Sequence, residues 1–173
     1  NTKFVPTFKK EEENYKEAAK ILKESGADLL VLEMLLDVDH SKILLNAALE
    51  TGLPVWVGLS CCDSKFDNSV IGRNFRAEKE KSLIYDENTY KDQPKYLPED
   101  KIILLEDIIK SLSSLGGDVY GIMHTWFQDS IGGLKLLKNN WKGPIMFYPE
   151  IHKFDTNTHK AIITMTEEEF SNS

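Results

Sequence analysis

The chain predicts an α/β fold built from parallel βα units, and three observations carry that expectation. Four short apolar runs, LLVLE (29 to 33), VWVGLS (55 to 60), VYGIMH (119 to 124) and IMFYPE (145 to 150), each end in a polar or ionisable residue. Stretches with helical periodicity separate them, and alternating β and α elements argue for a parallel sheet. LLVLE is apolar without alternation, as expected where both faces of a sheet are covered. In such a sheet the C-terminal strand ends gather on one face, so Glu33, Ser60, His124 and Glu150 are expected to converge.

Taken in order, residues 10 to 25 put Tyr15, Ala18, Ala19 and Leu22 on one helical stripe, and Gly26 sits where a helix stops. After LLVLE, Asp37 or Asp39 is placed to cap a helix whose inward residues are Ile43, Leu44, Ala47 and Ala48, with Gly52 at its end. Pro54 opens the second strand, a position that tolerates a residue without an N–H. From about Asp63 to Pro98 the periodicity dissolves into a long polar loop, either a functional lid or a surface insertion. Helical spacing resumes with Ile102, Leu105, Ile109 and Leu112, and Gly116-Gly117 breaks it before the third strand. A further helix follows, with Asp129 as cap and Ile131, Leu134 and Leu137 inward. Four such strands make a small open sheet or about half of an eight-stranded barrel. As half a barrel, its edge strands need covering, so self-association into a homo-oligomer is the physical expectation.

With 173 residues, 41% of them hydrophobic, the chain is long enough to bury one core, and a single domain over 1 to 173 is expected. A net charge of -7 supplies no basic surface for phosphates, which excludes nucleic acid as a partner class. No apolar run is long enough to span a bilayer, so no membrane partner is expected and the chain reads as cytoplasmic. The two cysteines, Cys61 and Cys62, are adjacent, which suits reduced thiols and not a disulfide framework. The opening Asn1 and the T-x-x-E capping box of Thr166 and Glu169, so close to Ser173, read as a segment of a longer protein or as a chain whose flanks disorder or processing has removed.

Several residues can carry chemistry. Glu33 closes an apolar strand, where a carboxylate needs a partner: a substrate amine, or a salt bridge. His124, at the end of VYGIM, suits a zinc ligand, a general base or a packed imidazole; His40, His152 and His159 have weaker claims. Cys61 and Cys62 follow a strand end, where they either join His124 on a metal or act as small hydrophobes. Tyr148 and Glu150, with Pro149 stiffening the turn between them, are placed to orient a substrate.

The order of these segments resembles the homocysteine S-methyltransferase family. GADLLVLEMLLDVDHSKILLNAALETGLPVWVGLS is similar to the family's GxDLLLxET strand, Ala-rich helix and PVWVS strand. GIMHT resembles its GVNCT segment, GPIMFYPE its VYPNxG segment, and MTEEEF its TPEEF stretch. Outside the loop from about Asp63 to Pro98, the match runs in register over nearly the whole chain.

What the resemblance implies is a TIM barrel, seen here over roughly its fourth to seventh βα units, that binds zinc through three cysteines and methylates the thiol of homocysteine. The partners so implied are a small thiol amino acid and an activated methyl donor. Glu33 falls on the carboxylate that contacts the amino acid amine, and Tyr148 and Glu150 on pocket positions. His124 falls on the first metal-ligand cysteine; the other two belong to a GGCC motif that the chain does not contain. Met34 stands for the threonine of the family's ET, and Glu150 for the asparagine of its YPN. The competing expectations are a non-catalytic half-barrel that self-associates, and a different metal-dependent transferase or lyase on the same scaffold.

Overall fold

A computed structural model describes residues 6–63, 69–73, 102–155, 158, 160–163 and 165–171. Helix α1 (Phe8–Glu24), strand β1 (Leu30–Leu35), helix α2 (Asp39–Leu49) and strand β2 (Val55–Leu59) come first. Three short strands follow, β3 (Cys62–Asp63), β4 (Val70–Arg73) and β5 (Ile102–Leu104), then α3 (Leu105–Ser113), β6 (Val119–Trp126), α4 (Phe127–Asn140) and β7 (Ile145–Glu150). The described part ends with β8 (His152–Asp155), β9 (Lys160–Ile163) and α5 (Glu167–Ser171).

The four expected strands form one sheet in the order β1-β2-β6-β7, with every pairing parallel. Each strand adds beside its predecessor without a reversal of direction across the sheet. A doubly wound sheet reverses at a switch point; this order is that of a barrel segment.

Register decides the two faces. Leu30 pairs with Val55, Leu32 with Val57, Val57 with Tyr120 and Leu59 with Ile122, and all of these are buried. The helices cover that face with Leu45, Leu105, Ile108, Ile109, Leu112 and Leu137. On the opposite face Val31 pairs with Trp56, and Val31 and Tyr148 are exposed. The expectation that both faces of LLVLE are covered is therefore corrected: β1 alternates, and only its helix side is buried. An apolar run without alternation cannot distinguish these cases when one face awaits a partner.

Helix ends follow local chemistry. Thr7 caps α1 through its Oγ1, which accepts the Lys10 N–H at 3.3 Å. Gly26 and Gly52 take φ values of 91° and 72°, the left-handed turn that ends α1 and α2 and that glycine adopts at least cost. At the start of α2, Asp37 Oδ1 accepts the His40 N–H at 2.8 Å, so Asp37 and not Asp39 satisfies that end. Thr166 and Glu169 form the expected capping box, with bonds of 3.2 Å and 2.7 Å.

Other expectations are corrected. Ile102 lies in β5, and the helix begins at Leu105. Asp129 sits in the first turn of α4 but is not its cap, which is Trp126. In α1 the buried residues are Glu11 and Ala19, while Leu22 is exposed; in α2 the fully buried leucine is Leu45. Part of the expected loop is structured: β3, β4 and β5 form an antiparallel sheet, and residues 64–68 and 74–98 lie outside the described residues. His152 begins β8 of an antiparallel hairpin with β9, and His159 lies outside the described residues. Among the described residues no helix is long and apolar enough to cross a membrane.

Close strand packing fixes one glycine. A Cβ on Gly121 would press on the Met146 side chain and sit 2.5 Å from its carbonyl oxygen, so β6 and β7 would have to part. Gly121→Ala is expected to cost about 1–3 kcal/mol, read as a lower urea midpoint with an unchanged slope.

Candidate functional site

Two bulges shape the C-terminal end of the sheet. Between Leu32 and Leu35, β1 advances three residues while β2 advances from Val57 to Leu59. Between Met123 and Trp126, β6 does the same against Tyr148 and Glu150 of β7. Each bulge holds one residue at positive φ, Met34 at 59° and His124 at 46°. For a side chain other than glycine this costs roughly 1–2 kcal/mol, and bulges of this kind re-aim side chains beside functional sites.

At β6 the bend is secured by polar bonds. The Met123 carbonyl accepts the Ser60 hydroxyl at 2.8 Å and the Thr125 hydroxyl at 3.0 Å. The Cys61 N–H donates to Thr125 Oγ1 at 3.0 Å. Ser60 is thus buried in the sheet, and the expectation that it joins the other strand ends is corrected. Its hydroxyl is committed to a backbone carbonyl inside the fold.

The other three strand ends do converge. His124 Nδ1 lies 3.2 Å from Glu150 Oε1, a hydrogen bond in which the ring N–H donates to the carboxylate. Its Nε2 lies 3.9 Å from Glu33 Oε2, within ion-pair range but too long for a hydrogen bond. The Tyr148 ring packs edge-on against the imidazole, with centroids 5.2 Å apart. Glu33 and Glu150 remain about half exposed, at 57% and 49% of their side chains, whereas His124 keeps 25%. An ionised carboxylate only accepts, so the hydrogen bond to Glu150 requires a proton on Nδ1 of the imidazole.

The cysteines do not join this cluster as metal ligands. Cys61 is buried, and burial pushes its thiol up from 9.0 to about 12, so it stays protonated at neutral pH. Cys62 is exposed at the start of β3. No group of three His, Cys, Asp or Glu side chains among the described residues is placed to hold a metal ion. Structural zinc takes four such donors and catalytic zinc three, so the donor set described around His124 does not fit zinc.

A second polar cluster, which the sequence did not announce, lies between α1 and α2. His40 Nδ1 is 2.5 Å from Glu11 Oε1, and the Tyr15 hydroxyl donates to that same oxygen at 3.1 Å. Glu11 falls in a run of three glutamates that reads as a solvated helix face, so only the packing of α1 on α2 singles it out.

Comparison with known proteins gives a family likeness over part of the chain and a fold. A family model described as homocysteine S-methyltransferase matches residues 2–82. No curated protein matches. Among solved structures, the homocysteine methyltransferase MmuM from Escherichia coli, in its apo form, is similar with a TM-score of 0.55 at 15% identity. The likeness covers 85% of this chain and 45% of that one, so the chain spans less than half the length of that protein. Likeness at this identity shows the fold, parallel βα units that make up part of a TIM barrel. Glu33 lies within the matched residues; His124, Tyr148 and Glu150 lie beyond them.

The thiols should respond differently. In the native protein at mildly alkaline pH, iodoacetamide is expected to modify Cys62 and spare Cys61, read by peptide mass; two equivalents on the folded chain would contradict the assignment. The Cys61 thiol is raised in the folded state, so its contribution to stability is whole below pH 9.0 and is lost as pH rises toward about 12. Urea midpoints taken across that window should therefore fall.

Proposed function

We propose, from residues 2–82 that carry the pattern of the homocysteine S-methyltransferase family, that the complete protein methylates the thiol of a small amino acid. The strand-end cluster would be where that acceptor binds. The observation that supports this most is the convergence of Glu33, His124 and Glu150 beside Tyr148.

In this reading the Glu33 carboxylate takes the acceptor's ammonium by a charge-assisted hydrogen bond. A free thiol has a pKa near 8.5 and is mostly protonated at neutral pH, so a base at its side raises the thiolate fraction. His124 Nε2 takes the thiol proton, and Glu150 holds the imidazole in the tautomer that makes this possible. The sulfur lone pair then forms the new S–CH3 bond, while the bond from the methyl to its donor breaks and its electron pair stays on the donor. Tyr148 walls the pocket beside the ring. Zinc, which the sequence resemblance implies for the complete protein, finds no full donor set among the described residues.

The test is homocysteine binding by calorimetry. Glu33→Gln is expected to weaken it about tenfold or more, equivalent to ~1.4 kcal/mol, with little change on adding zinc. Unchanged affinity in that variant would remove the role given to Glu33, and the absence of methyl transfer by the chain with homocysteine, donor and zinc would confine the activity to a longer protein.

One observation favours a second reading, a half-barrel that self-associates. Val31, Met34, Ile145 and Tyr148 are exposed apolar groups on the outer strands β1 and β7, and a closed barrel would cover such edges. Light scattering should then give a mass above 19.8 kDa that rises with concentration; a constant 19.8 kDa would remove this reading.

A further inference from the structure

Outside the strand-end cluster, the structure buries more polar chemistry than its own bonds use. Glu11 and Asp37 are 6% and 3% exposed, and both stand beside His40. Glu11 Oε1 accepts from His40 and Tyr15, but Glu11 Oε2 and His40 Nε2 are buried with no hydrogen-bond partner among the described residues. Leaving such atoms unpaired costs about 1–3 kcal/mol each, and native proteins seldom leave them so. Burial also holds the Asp37 carboxyl above its usual range, and the Tyr15 hydroxyl is pushed up to about 12 by burial and by Glu11.

These residues line a cavity of about 410 Å³, whose other walls include Met34, Leu36 and Leu44. That volume suits a small molecule. Beside the neutral Asn14, Tyr15 and Ser41, its ionisable groups are His40 and three carboxylates, Glu11, Glu33 and Asp37. Glu11 and Asp37 accept hydrogen bonds when ionised, and with Nδ1–H given to Glu11, a neutral His40 offers a lone pair at Nε2. An occupant must supply donors and positive charge. The described side chains make no three-ligand metal group here, so an organic cation fits better than a metal ion.

We propose that the cavity between α1, α2 and the end of β1 is a binding site for a primary alkylammonium group, held by Glu11 and Asp37 with its short chain against Met34, Leu36 and Leu44. Glu11 and His40, whose second polar atoms are buried without partners among the described residues, both line the cavity. The site is separate from the role given to Glu33, although Glu33 also borders the cavity, and it does not rest on the methyl-transfer reading.

The probe is n-butylammonium chloride added to the full chain, with n-butanol and sodium butyrate as controls of equal chain length. Imidazole NMR signals of His40 and calorimetry report binding. The expected result is a saturable shift of the His40 signals with butylammonium and none with butyrate or butanol. Affinity should fall about tenfold or more in Glu11→Gln, checked for fold by circular dichroism, and stay within twofold in Glu12→Gln, an exposed carboxylate of the same helix that does not line the cavity. Should Glu11→Gln fail to fold, Asp37→Asn replaces it, and the wild-type contrast between butylammonium and butyrate decides by itself. No saturable His40 shift at millimolar butylammonium, an equal response to butanol, or loss of binding in Glu33→Gln with retention in Glu11→Gln would each overturn the proposal. The last result would leave the reading of Glu33 as an amine site standing.

Discussion

The carbonyl of Met123 accepts two hydroxyls, Ser60 at 2.8 Å and Thr125 at 3.0 Å, and the strand-end cluster depends on that arrangement. In an unbroken parallel ladder this carbonyl would bond a neighbouring strand. A buried carbonyl left without a donor costs about 1–3 kcal/mol. The two hydroxyls remove that cost and so permit the left-handed backbone at His124. With that bend in place the imidazole stands between Glu33 of β1 and Glu150 of β7, strands separated by β2 and β6.

The sheet supplies the platform for this geometry. Leu30, Leu32, Val55, Val57, Leu59, Tyr120 and Ile122 are all buried beneath the helices, which fixes strand register, because a slip of one residue would turn every one of them to the other face. The three extra-ladder features, two bulges and one buried serine, are therefore read against a rigid frame. The opposite face is built differently: Met123 lies over Gly58 and Met146 over Gly121, so strand glycines admit long flexible side chains where a barrel interior would be filled.

Much of this was legible in the residues. All four parallel strands, the helix-stopping roles of Gly26 and Gly52, the terminal capping box and the convergence of Glu33, His124 and Glu150 follow from patterns with a local physical cause. The misreadings also have causes. Ile102 fits the spacing of the helix after it, yet its backbone pairs with Arg73 across the antiparallel sheet, and tertiary pairing overrides periodicity. Leu22 fits the inward stripe of α1, but that helix packs through Glu11, Tyr15 and Ala19. A glutamate in a charged run carries no sign that it will be buried against a histidine 29 positions away.

By itself the sequence determined the alternation of βα units, the family likeness and which ionisable residues stand at strand ends, because apolar runs, turn residues and motif order are properties of neighbours along the chain. Only the tertiary structure decided that Ser60 serves a backbone carbonyl, that the Cys61 thiol is sealed and protonated, that His124 bonds Glu150 through Nδ1, and that Glu11 and His40 meet. Those outcomes rest on register, bulges and helix packing, which bring together groups far apart in sequence, and their burial, which sets the chemistry, exists only once the layers have closed.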